Sequence, residues 1–125
     1  MTLQYKVEGD SILISDGENP ILGVQESIPD PEQRNVLIAV GGSIRSDVSE
    51  FLEDELNSFV TLDANMLIDM REVTYVSVAA QQCFLRVQRY ADRIGKGRLT
   101  LRIPDEGLYS QFEATGITEL LQIVR

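Results

Sequence analysis

Histidine and tryptophan are missing from all 125 residues, and cysteine occurs once, at Cys83. Without histidine the chain lacks the commonest general base, the commonest metal ligand and every histidine-dependent catalytic triad. One cysteine cannot form an internal disulfide, so a cytoplasmic location is the default expectation. With no imidazole to activate it, Cys83 reads as a structural thiol on a buried helix face. No apolar run approaches the ~20 residues a membrane helix needs. The opening MTLQYKVEGD lacks the basic-then-apolar build of a secretory signal. Zinc spacings, phosphate-cradling glycine loops and dinucleotide fingerprints are absent, and no carboxylate pair stands out as an acid/base couple. These absences argue against an enzyme and imply no cofactor and no metal.

The length suits one domain with a sizeable core, and four Phe and four Tyr make that core mainly aliphatic. The net charge is −9 and it is unevenly spread. Residues 1–64 carry 13 acids and 3 bases, whereas residues 65–125 carry 7 acids and 8 bases. An acidic half repels phosphate backbones, so nucleic acid is not the expected partner. A basic protein surface fits better, and simple solubility is the plain alternative.

Hydrophobic periodicity predicts the elements. LQYKVE alternates as a half-buried strand, GD at 9–10 turns the chain, and SILIS returns it. ILGVQES is a possible third strand, and IPDPEQRN (28–35), with two prolines, is a loop. VLIAV (36–40) is an unbroken apolar run, which predicts a strand covered on both faces, and MLIDM (66–70) is a second buried strand. Gly41-Gly42-Ser43 reads as a tight turn rather than a phosphate cradle, since neither a third glycine nor a lysine accompanies it. Ser46 or Asp47 then caps a helix whose stripe is Val48, Phe51, Leu52, Leu56, Phe59 and Val60. A second helix follows Ser77, burying Ala80, Cys83, Phe84, Val87, Tyr90, Ala91 and Ile94 and presenting Gln82, Arg86, Arg89 and Arg93. GKG (95–97) stops it; RLTLRI (98–103) is a strand; Pro104 and Asp105 open a third helix. ITELLQIV is a last helical turn or a short edge strand. Strands separated by helices predict an α/β fold: a mixed sheet, parallel where helices intervene, antiparallel at its N-terminal end, with helices on one or both faces.

NVLIAVGGSIRSDVSEFLEDELNSFV, then MLIDMREVTYVSVAAQQCFLRVQRYADRIGKGRLTLRI, then LYSQFEATGITELLQI together resemble the STAS domain, the fold of bacterial anti-sigma factor antagonists. The resemblance spans residues 21–125, and residues 1–20 read as an added N-terminal hairpin. It implies a cytoplasmic, non-enzymatic module that regulates transcription by binding an anti-sigma factor that is also a serine kinase. In such antagonists the turn before the second helix reads Asp-Ser-Ser-Gly, and phosphorylation of one serine releases the partner. Here those four positions hold Ser77, Val78, Ala79 and Ala80. Both acceptor positions lack a hydroxyl.

The resemblance therefore places partner contacts at the loop before the second helix and its start: Tyr75, Val76, Ser77, Val78, Ala79, Gln81 and Gln82. Ser77 and Thr74 are the candidate phosphoacceptors, each with a plain alternative: Ser77 as an N-cap, Thr74 as an exposed turn residue. Val78 and Ala79 form a flat apolar patch that either docks a partner or packs beneath the added hairpin. The arginine stripe either meets an acidic partner, including the acidic first helix of a second copy in a homodimer, or is a solvated face. Competing functions are an unphosphorylated STAS scaffold within a larger or transporter-associated assembly, and a small-ligand carrier.

Overall fold

The computed structural model describes residues 3–30, 32 and 34–125. Among these residues seven strands form one sheet in sequence order: β1 (Gln4–Glu8), β2 (Ser11–Ser15), β3 (Pro20–Asp30), β4 (Asn35–Ile44), β5 (Asn65–Val76), β6 (Arg98–Arg102) and β7 (Ile123–Val124). The first four pair antiparallel and the last four parallel. Three helices fill the parallel connections: α1 (Ser46–Thr61), α2 (Val78–Ile94) and α3 (Glu106–Ala114). The tail is both of the things expected of it, a 3-10 turn at Ile117–Glu119 and then the edge strand β7.

The mixed α/β sheet matches expectation; the layering corrects it. VLIAV is not covered on both faces. Val36, Ile38 and Val40 are buried beneath the helices, whereas Leu37 and Ala39 are exposed on the opposite face. Side chains alternate along a strand, so an apolar run fills both faces whether or not both are covered. Along the covered side Ile14, Leu22, Ile38, Ile68, Met70, Leu99 and Leu101 pack against Val48, Leu52, Leu56, Phe84 and Val87. On the open side no described helix overlies Leu13, Leu37, Leu67, Thr100 or Val124, which stay exposed or half-buried.

Other boundaries also moved. The loop expected over 28–35 shortens because β3 runs to Asp30, with the pairing slipping after Ser27 where Pro29 brings no N–H. Pro31 and Gln33 of that loop, like residues 1–2 ahead of the hairpin, lie outside the described residues. Gly41-Gly42 is not a turn but an irregular stretch inside β4. Gly42 has φ +102°, and a Cβ there would lie 2.3 Å from the Ile21 carbonyl oxygen, so only glycine fits. The helix α1 begins one residue early: its N-cap is Arg45, whose guanidinium pairs with Asp47, rather than Ser46 or Asp47.

Hairpin β1–β2 continues the sheet through β3 and does not lie over the start of α2. Tyr5 rests against Phe51 of α1, ring centroids 5.2 Å apart.

Candidate functional site

Strands β4 and β5 run parallel and end side by side, Ile44 opposite Val76. A helix leaves each end after a single residue, Arg45 into α1 and Ser77 into α2. Two helix N-termini therefore sit together at the C-terminal edge of the parallel strands. Thr74, Tyr75 and Val76, expected in a turn or loop before the second helix, are strand: β5 continues past Met70, and Tyr75 and Val76 pair with Ser43 and Ile44. Arg71, Glu72 and Thr74 are exposed to solvent along an uncovered length of β5.

Ser77 is the N-cap. Its Oγ accepts from the Ala80 N–H at 3.1 Å, its own N–H donates to the Ile44 carbonyl at 3.0 Å, and the residue is 6% exposed. Its hydroxyl is committed to the helix start. Thr74 is exposed, and its hydroxyl donates to the Gly42 carbonyl at 3.3 Å.

The seven expected contact residues divide cleanly. Tyr75, Val78, Ala79 and Gln82 are exposed, Val78 to 61%. Val76, Ser77 and Gln81 are buried. Gln81 points inward to α3, where its Oε1 accepts from the Thr115 hydroxyl at 2.6 Å. Helical spacing alone could not reveal this, because position 81 lies at the border of the α2 stripe and only the placement of α3 closes it in. Cys83 is fully buried, and burial, helped by the nearby Glu53 carboxylate, pushes its thiol up to about 12. It is an inert structural cysteine, as its place on the stripe predicts.

One ionisable group that sequence reasoning passed over is Glu26. It pairs with Ile38 on the helix-covered side of β3, half-buried beside Glu55 of α1. Burial, the Glu55 carboxyl and Asp10 raise its pKa to about 7. The strand alternation predicts its side; the facing Glu55 is a tertiary fact. Among the described residues no group of three His, Cys, Asp or Glu side chains could hold a metal ion, and no helix is long and apolar enough to cross a membrane.

A shared sheet edge from which two helices start, with a third helix and a short strand closing the chain, is an arrangement found in solved structures. The unphosphorylated form of the anti-sigma factor antagonist SpoIIAA superposes with a TM-score of 0.64 at 12% identity, over 82% of this chain and 88% of that one. The fold is that of a STAS domain. An anti-sigma factor antagonist from Mycobacterium paratuberculosis gives a TM-score of 0.64 at 14% identity, covering 82% of this chain and 84% of its own. The murine anion transporter Slc26a9 contains a similar unit, with a TM-score of 0.61 at 13% identity, spanning 79% of this chain and 19% of the transporter. No protein-family model and no curated protein matches the sequence. At these identities the likeness is one of fold.

Proposed function

We propose that this STAS-fold chain is a non-enzymatic regulatory module that binds an anti-sigma factor of the serine-kinase type; two solved proteins of the same fold are named as anti-sigma factor antagonists. The observation that carries the reading is the exposed apolar end of α2. Val78 is 61% and Tyr75 48% exposed, with Ala79 and Gln82 exposed near them in the chain, and none of the described residues buries them. Large apolar side chains clustered on a rigid helix start suit a docking surface. SpoIIAA has been solved in both unphosphorylated and phosphorylated forms. In this chain Val78 and Ala79 offer no hydroxyl, and the Ser77 hydroxyl is occupied as a cap. The module therefore acts in one permanent state, or is modified at the exposed Thr74.

Calorimetry against an anti-sigma factor kinase from the same genome is the test. A complex is expected that Val78→Asp weakens by about tenfold or more. No complex, with or without nucleotide, sinks the reading. Intact mass after incubation with kinase and ATP is expected to show no phosphate on Ser77; a phosphate mapped there would overturn the permanent-state account.

The same two missing hydroxyls, together with the likeness to a unit of Slc26a9, support a second reading. In it the chain is an unmodified scaffold within a larger assembly. Isolation from cells in a complex of fixed stoichiometry containing no kinase would favour it.

A further inference from the structure

The exposed ridge of α2 changes character along its length. After Val78, Ala79 and Gln82 it carries Arg86, Arg89 and Arg93 at one-turn spacing, all exposed. These arginines border a hollow of about 410 Å³ between α2 and α1, which Tyr90, Glu53 and Asn57 complete. Arg86 is already spoken for: its Nε donates to Glu53 at 2.7 Å. Arg93 lies over the Tyr90 ring, 5.3 Å from its centroid, which holds the guanidinium at the rim. Arg89 has no ion pair among the described residues. Three arginines against one carboxylate leave a surplus of positive charge here, on a chain whose net charge is −9. Asn57 lines this hollow, and its Oδ1 atom is buried with no hydrogen-bond partner among the described residues, a costly condition for a carbonyl oxygen.

We propose that this α1–α2 hollow is a second binding site, for an acidic peptide segment of a partner protein. Carboxylates of such a segment pair with Arg89 and Arg93, whose forked donors suit them. A peptide also brings backbone N–H groups. When the long arginine side chains shift to admit it, one N–H can serve the Asn57 carbonyl. A nucleic acid phosphodiester backbone has no N–H to give, and the acidic remainder of the chain repels an extended polyanion. The site stands apart from the Val78 end and does not rest on the proposed kinase partner.

The test is fluorescence anisotropy with a labelled octaglutamate peptide at low ionic strength. Binding is expected that weakens as salt rises. The double variant Arg89→Glu, Arg93→Glu should weaken it at least about tenfold, since two exposed pairings are lost and two repulsions added. Arg89→Gln is the milder control in case the double variant unfolds, and it should weaken binding two- to threefold. Asn57→Leu should weaken it with the arginines intact. No binding at low salt overturns the proposal. So does equal binding by the Arg89→Gln variant. Tighter binding of a single-stranded oligonucleotide of the same charge would also overturn it, by showing that charge alone is read.

Discussion

The two faces of the sheet are built from the same strands, yet they do different things: the covered face is mainly aliphatic, whereas the open face sets Leu13, Leu37 and Leu67 among Lys6, Gln25, Arg98 and Thr100. On the covered face Leu101 is fully buried against the helix layer. On the open face Leu37 is 37% exposed. Within VLIAV residue type does not separate them; only the helices do. The lesson is that an apolar strand residue contributes according to what is laid over it, and that an all-apolar strand does not show in its own sequence which side that is.

Three measurements sharpen or break that contrast. The largest effect is expected from Leu101→Ala, which should lower unfolding free energy by about 2–5 kcal/mol in urea titration, against under about 1 kcal/mol for Leu37→Ala. Equal losses would mean that the open face is covered in solution. Next comes Ser77→Ala, at the seam where the covered layer begins. Loss of the cap to the Ala80 N–H should cost about 1 kcal/mol, while Ser77→Asp, which keeps an acceptor there, should cost less. The smallest effect is that of pH on Glu26, a charge placed on the covered face. Its folded pKa of about 7 lies above the ordinary 4.5, so the folded state holds the proton more tightly. That stabilisation is complete below about pH 4.5 and is lost as pH rises through 7. Thermal melts from pH 5 to 8 should therefore show a falling midpoint that Glu26→Gln flattens. The screening available to a half-exposed carboxyl keeps the change modest.

Much of the fold could be read from periodicity. The hairpin, the stripes of α1 and α2, the Gly95 stop with its φ of +68°, and the Asp105 cap that accepts from Leu108 at 2.9 Å all follow from local rules. The candidate site was legible in part. Ser77 could be recognised as a cap because a hydroxyl stood just before an amphipathic stretch. The burial of Val76 and Gln81 could not be, since it depends on how β5 extends beside β4 and where α3 arrives. The stretch Thr74 to Val76 reads as a loop because it lies just before a helix start, although it is only the end of a long, partly uncovered strand.

Sequence by itself determined the α/β order, the absence of histidine chemistry, the loss of acceptor hydroxyls at positions 78 and 79, and the caps that start α2 and α3. These are properties of residue type and short-range spacing. Tertiary structure alone decided which face of VLIAV is covered, that Gln81 turns inward to Thr115, that Glu26 meets Glu55, and that Arg89, Arg93 and Asn57 line one hollow. Each of those depends on residues brought together across 29 or more positions of chain, and burial, which sets their energies, is a property of the assembled layers.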